Sequence, residues 1–491
     1  MDTLTRPNIV LITADQWRGD CLGCLGGRHP VMTPHLNQIA AEGVLFTQAY
    51  ADCPVCMPQR VTTLTGQVGS RFGLPHNFGS GVRSPIDSKT SLPGRLSREA
   101  GYQTKGIGKM HFSPSRARFG FEHVVLHPND YVIWLEETEY AGMYRGHGLG
   151  GNEVYPSVSA VPERFTHVHW TVEQAVRFLT ERDPETPFFL WIIFEAPHSP
   201  FDPPPPYDRM YDNFAIPDPV RGDWVNEEDY PLDFQSRRLV LKTRQLTDEI
   251  VRESRRRYYG QVSYIDYQLG RFFGELKTKG LYDNTMIIFT ADHGEHLGDH
   301  GLFGKGTFLR GSANVPLAMR FPASVSLAHP SLEINTAVLT ADLYPTLLEL
   351  AGIRPEGDID GLSLLSAIAT GRGDENRIVC GEYGHGDGTA FATDGKFKYI
   401  YYVKGGVEHL FDVRNDPDDL HNLAHRAEFN ATKANLREYL IQFLTGFERP
   451  MVVDGRLAVA EVELDEFNLL GRNPCAWRGP MRYGQGYGGG W

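Results

Sequence analysis

Cysteine is scarce, six in 491 residues, too few for the disulfide framework of a small secreted scaffold. The thiols are therefore read as reduced. Long apolar runs are missing as well: the longest core-like stretch, residues 188–194, falls well short of the ~18 residues that suggest a membrane span. No membrane partner is expected. Positive charge is in deficit, with 48 Lys and Arg against 61 Asp and Glu and a formal net charge of -13. That balance excludes a sequence-independent nucleic-acid binder, which needs a basic face. The first residues carry neither a basic n-region nor a small-residue cleavage site, which gives a cytoplasmic expectation. No repeat with a period of roughly 20–50 residues is visible.

What is present is an ordinary globular composition, 41% hydrophobic and 22% charged, in a chain long enough for a large domain and a smaller one. Residues 8–14 (NIVLITA), 188–195 (FFLWIIFE) and 285–291 (TMIIFTA) are continuous apolar runs that read as strands buried on both faces, the habit of a parallel sheet. The first ends at Asp15 and the last at Asp292 and His293. Ligands bind beyond the carboxyl ends of such strands, so these groups are candidates for one shared site. Residues 246–279 carry Val262, Ile265, Leu269, Phe272 and Leu276 at helical spacing, and the Arg255–Arg257 triplet within them reads as a solvated face. The proline-rich stretch 201–219 reads as an extended surface loop beside His198. Past residue 375 the pattern turns to short strands at 388–393, 397–403 and 408–413, separated by turn residues. The division expected is a catalytic α/β domain over 1–375, an antiparallel-sheet and helix subdomain over 376–470, and a Gly- and aromatic-rich extension over 471–491. That extension is a candidate for homo-oligomer contacts.

Two C-x-x-C pairs, Cys21/Cys24 and Cys53/Cys56, raise a four-thiolate zinc site and with it a non-enzymatic reading, although the gap between them exceeds the usual spacing. The second pair lies inside CPVCMPQRVTTLTG, where Cys56, Pro58 and Arg60 form C-x-P-x-R ahead of Leu64-Thr65-Gly66. Pro58 suits the first turn of a helix, whose amide groups favour an anion beside Cys56, and Arg60 lies one turn along the same face.

That string resembles the signature of the formylglycine-dependent type I sulfatases of the alkaline phosphatase superfamily. Further segments follow in the family's order: Gly108, Lys109 and His111 as G-K-x-H; His198 in PHSP; Asp266 and Gly270 as D-x-x-x-G; Asp292, His293 and Lys305 in TADHGEHLGDHGLFGKGTF; and HLFDVRNDPDDLHNLA at 409–424. The resemblance implies an alkaline-phosphatase-like α/β fold, a mostly parallel sheet sandwiched by helices, with a smaller antiparallel sheet. It implies that a formylglycine-generating enzyme converts Cys56, and that one divalent cation is held by Asp15, Gln16, residue 56, Asp292 and His293. It also implies hydrolysis of a small-molecule sulfate ester. In this reading Asp292 serves as base, Arg60 holds the aldehyde hydrate, and Lys109 and Lys305 neutralise the sulfuryl oxygens. His198 protonates the leaving oxygen, His111 takes the proton that releases sulfate, and Asn77 adds a hydrogen bond to substrate. The chain departs from many sulfatases in having Asp15-Gln16 for two adjacent acids and Asp292-His293 for Asp-Asn, a mix of oxygen and imidazole donors that admits Mn²⁺ as well as Ca²⁺. The same departures resemble phosphonate monoester hydrolases and choline sulfatases. Lys109-x-His111 favours sulfate over phosphonate.

Overall fold

The structure is a computed structural model describing residues 6–78, 81–225, 230–325, 331–355, 357–384, 388–447 and 449–471. Beyond Gly471, the expected extension 471–491 lies outside the described residues.

The run NIVLITAD forms strand β1 (Asn8–Asp15), buried at every position. A strand with no polar alternation needs cover on both faces, and β1 lies in the middle of an eight-stranded sheet. The other strands are β2 (Val44–Phe46), β3 (Gln103–Gly108), β4 (His123–Leu126), β5 (Phe188–Pro197), β6 (Thr285–Ala291), β7 (Leu317–Arg320) and β8 (Leu332–Ile334). Their spatial order is β4-β3-β5-β1-β6-β7-β2-β8, parallel except for β7, which opposes both neighbours. Register sets Ala14 level with Phe194 and Ala291, and Gly108 level with Ile193. The residues just beyond, Lys109, Glu195, Asp15 and Asp292, therefore stand along one carboxyl edge. At Gly108 φ is +101°, and a Cβ would collide with the Ile193 carbonyl oxygen, so only glycine lets β3 close on β5 at the base of Lys109.

Helices α1 (Cys56–Thr65), α2 (His167–Glu181) and α3 (Asp248–Thr278) join the large layer. In α3 the expected apolar positions Val262, Ile265, Leu269, Phe272 and Leu276 are all fully buried. Asp266 accepts from the backbone N–H groups of His35 (3.1 Å) and Leu36 (2.8 Å), the first turn of helix Pro34–Ala41, and burial pushes its carboxyl up to about 7. Gly270 leaves room for the His35 ring. The D-x-x-x-G motif is thus a cap and a packing notch. One expectation fails here: Arg255 is fully buried, its Nη1 donating to Leu297 O (3.2 Å) and Asp299 Oδ1 (3.4 Å), because α3 turns that position under the loop after β6. Arg256 and Arg257 instead pair with Glu253 near the surface. The proline-rich stretch lies down on α3, with the rings of Tyr207 and Tyr264 at 4.8 Å.

The second sheet is a meander of β9 (Val379–Tyr383), β10 (Thr389–Thr393), β11 (Phe397–Tyr402) and β12 (Val407–Asp412). Strand β9, with Gly381 in its middle and no alternation, escapes the sequence reading. Helix α4 (Asn430–Gly446) covers this sheet with Leu436, Leu440 and Leu444. From the HLFDVRNDPDDLHNLA segment, Asp419 pairs with the buried Lys398 at 2.8 Å and accepts from Arg310 N at 2.7 Å. That contact pins the small sheet to the loop following Lys305.

Candidate active site

Helix α1 starts at Cys56 after Val55, an extended residue (φ -153°, ψ 149°) with no side chain to cap it. Its positive end therefore faces the carboxyl edge of the sheet. Met57 N–H donates to Asn77 Oδ1 at 2.9 Å, so Asn77 orders the first turn through its carbonyl. Cys56 Sγ stands 3.2 Å from His293 Nε2, 3.3 Å from Lys305 Nζ and 3.7 Å from Asp15 Oδ1. Burial and Asp15 push the thiol up, but Lys305, His293 and a hydrogen bond with His111 outweigh them, leaving it well below the ordinary cysteine range.

One turn along, the buried Arg60 joins the two strand ends. Its Nη2 donates to Asp15 Oδ2 (2.7 Å) and Asp292 Oδ2 (2.8 Å), its Nε also reaches Asp292 Oδ2 (3.1 Å), and its Nη1 donates to Lys109 O. Lys109 Nζ stands 2.7 Å from Asp15 Oδ2 and 3.6 Å from Glu195 Oε1. Burial raises the Asp15 carboxyl, yet Lys109, His198, Arg60 and Lys305 hold it well below the usual carboxylate range. Asp292, pushed up by burial and by Asp15, sits above its ordinary value. Its Oδ1 accepts from Gln16 N (3.2 Å) and His293 N (3.0 Å).

His293 Nδ1 donates to Gly294 O (3.1 Å), which turns Nε2 toward Asp15 Oδ1 (3.4 Å) and Asp292 Oδ1 (3.6 Å). Asp15, Cys56, Asp292 and His293 each present a ligand atom within 4.8 Å of the others. Two carboxylates and an imidazole lone pair fixed on one point are a donor set that a divalent cation fits. Gln16, at φ 72°, turns its Oε1 to Lys305 Nζ (2.9 Å) and donates from Nε2 to Glu295. Opposite the helix, Lys305 Nζ contacts His198 Nε2, and His198 Nδ1 donates to Ser199 O at 2.8 Å. Burial, Lys305 and Lys109 hold His198 well below its ordinary value, so the imidazole is neutral with its Nε2 lone pair accepting from the ammonium. His111, at φ 56°, is held low by burial despite its bond to Cys56.

The structure thus gathers Asp15, Gln16, Cys56, Arg60, Lys109, His111, His198, Asp292, His293 and Lys305 in one place, with Asn77 behind the helix start. It does not gather the two C-x-x-C pairs: Cys24 is exposed, Cys21 lies with Asp20 and His29, and only Cys56 enters the site, so the four-thiolate zinc reading fails on geometry. Sequence reasoning missed Glu195, which receives Arg145 Nη2 at 2.9 Å and Tyr144 Oη at 2.5 Å and braces Lys109 from behind. An acid closing the apolar run FFLWIIFE was a readable signal; Tyr144 and Arg145, on an aperiodic loop, were not. Glu295, which orients the Gln16 amide, was also missed.

Residues 7–353 match the family model described as Sulfatase, and residues 298–445 match N-sulphoglucosamine sulphohydrolase, C-terminal. An arylsulfatase of Clostridium perfringens is 32% identical, covering 90% of this chain and 95% of the relative. A choline-sulfatase of Rhizobium meliloti is 29% identical over 89% of this chain and 86% of its own. The solved phosphonate monoester hydrolase of Agrobacterium radiobacter aligns with a TM-score of 0.73 at 27% identity, covering 90% of this chain and 96% of that one. With the family model spanning well over half of its length, the chain belongs to the sulfatase family of the alkaline phosphatase superfamily and is an enzyme that hydrolyses sulfate esters.

Proposed function

We propose that the chain hydrolyses a sulfate monoester to an alcohol or phenol and inorganic sulfate, using formylglycine made from Cys56 and one divalent cation. The observation that carries the reading is the convergence of Arg60, Lys109, Lys305 and His198 around residue 56, opposite the Asp15–Asp292–His293 donor set. When bound, the cation supplies a Lewis acid, and the converted residue supplies a hydrated aldehyde hydroxyl as nucleophile. Asp15, Asp292 and His293 would hold the cation, with Gln16 oxygen beside them; Mn²⁺ and Ca²⁺ both suit these donors.

The chain's own groups do the rest. Arg60 fixes both strand-end carboxylates and so sets where residue 56 can stand. Lys109 and Lys305 bring positive charge to the sulfuryl oxygens as negative charge shifts in the transition state. Asp292 is the base toward residue 56. The proton for the leaving oxygen is held between Lys305 Nζ and His198 Nε2, since His198 alone is neutral. His111, kept neutral by burial and hydrogen-bonded to residue 56, takes the proton whose removal frees sulfate.

A phosphonate monoester or phosphodiester hydrolase is the second reading, favoured by the Asp15-Gln16 and Asp292-His293 pairs and by the likeness to the Agrobacterium radiobacter enzyme. Lys109 and His111 incline the reading to sulfate. Measuring kcat/KM for the sulfate, phenylphosphonate and phosphodiester of one phenol decides between them. A higher value for the sulfate is expected; a phosphonate preference promotes the second reading. Peptide mass over residues 50–66 reads the conversion of Cys56, and an intact thiol in active enzyme ends the formylglycine mechanism.

A further inference from the structure

Residues 298–306 form the loop that delivers Lys305 to the reacting centre, and its Gly298, Gly301 and Phe303 line a cavity of about 490 Å³. Its lining includes Arg221, Arg238, Arg244 and Arg252, a concentration of guanidinium groups on a chain whose net charge is -13. Two of the four are already matched: Arg244 pairs with Glu466 at 3.2 Å and Arg252 with Asp218 at 3.2 Å. Arg221 and Arg238 form no ion pair with a carboxylate among the described residues, although Asp248 also lines the cavity. Arg238 Nε is buried with no hydrogen-bond partner. Both guanidiniums face one place, for a Cβ built at Gly301 would stand 3.7 Å from Arg221 Nη2 and 3.7 Å from Arg238 Cζ. Gly298 and Gly301 bare the backbone on that wall. Arg238 hydrogen-bonds the Tyr230 side chain and lies 5.7 Å from its ring centroid, which leaves Nε as its unmet donor; guanidinium forks match the oxygens of tetrahedral anions in pairs.

We propose that Arg221 and Arg238 form a second oxyanion site, taking a sulfate or phosphate group behind the loop that carries Lys305. The anion is either a further sulfate of a multiply sulfated substrate or a free inorganic ion. The first source rests on the sulfate-ester reading above; the site itself does not. Because Gly298, Gly301 and Phe303 of the cavity wall lie on the segment that carries Lys305, occupancy of this site and turnover share one loop.

The test titrates inorganic phosphate into the cation-loaded enzyme by calorimetry, comparing wild type with Arg221→Ala, Arg238→Ala and the double variant, each checked for an unchanged unfolding midpoint. Two equivalents in wild type and one in the double variant are expected, with partial recovery in Arg238→Lys. A wild-type phosphate stoichiometry that the double variant leaves unchanged overturns the site, whatever the reacting centre itself binds. The exposed Arg221→Ala keeps the test open if Arg238→Ala misfolds. Kinetics then separate the sources. A tenfold or greater fall in kcat/KM for a disulfated glycoside, with an aryl monosulfate unchanged, assigns the anion to substrate, whereas loss of phosphate binding with both esters unchanged assigns it to the free ion. The stoichiometry is read without turnover, so a failure of the catalytic reading leaves it interpretable.

Discussion

Removing Arg60 exposes how the site is balanced. In Arg60→Met the stem volume is kept, but the guanidinium that donates to Asp15 and Asp292 within 2.7 to 3.1 Å is gone. The two carboxylates do not suffer equally. Asp15 keeps Lys109 at 2.7 Å, whereas the remaining partner of Asp292 among the ion pairs described is His293 Nε2 at 3.6 Å, a cation only when the imidazole is protonated. Breaking one partner from a buried ion pair costs on the order of 3–5 kcal/mol, because the other charge stays out of water. The sign of the pH dependence follows. Arg60 lowers the pKa of both aspartates, so its loss moves both upward, adding to the rise that burial and Asp15 already impose on Asp292. A group whose folded pKa is raised contributes stability at low pH that is lost as pH climbs through that value. The variant should therefore lose about 3–5 kcal/mol at pH 8 and clearly less at pH 5 in chelator, and a saturating divalent cation should return part of it. Urea unfolding followed by tryptophan fluorescence at the two pH values, with and without cation, measures this. A loss below about 1 kcal/mol at pH 8, or equal losses at both, refutes the account of a carboxylate pair held by one guanidinium.

Cys56→Ala should abolish turnover with folding intact, while Cys53→Ala, whose buried thiol is pushed well up and stands apart from the reacting centre, should keep most activity in the same aryl sulfate assay. His198→Ala should slow esters of weakly acidic alcohols far more than esters of acidic phenols, and a flat leaving-group series would remove His198 from proton delivery. Chelation should stop activity; burial lowers the His293 pKa but Asp292 outweighs it and raises it, so protons should compete with cation binding from above pH 6.5, read as a falling affinity in titrations at decreasing pH. Gly108→Ala should lower the unfolding midpoint and activity together, since its Cβ collides with Ile193 O where β3 meets β5; unchanged stability would show that the β3–β5 junction can open without cost.

The sequence by itself determined the parts whose chemistry is local. Apolar runs without alternation had to be central strands, so Asp15 and Asp292 had to emerge at strand ends, and C-x-P-x-R placed Cys56 and Arg60 on one face of a helix start. Tertiary structure decided everything that depends on register and on which face a helix turns inward. Nothing local could show that Asp15 and Asp292 lie side by side under one guanidinium, since that follows from pairing across 276 positions of sequence, as between Gln16 N and Asp292 Oδ1. Nor could it show that Arg255 is buried, that Cys21 and Cys24 stay away from Cys56, or that Tyr144 and Arg145 reach Glu195 from a loop with no periodicity. Composition and period report only the environment of a side chain on its own element. The partner across the gap is chosen by how the layers pack.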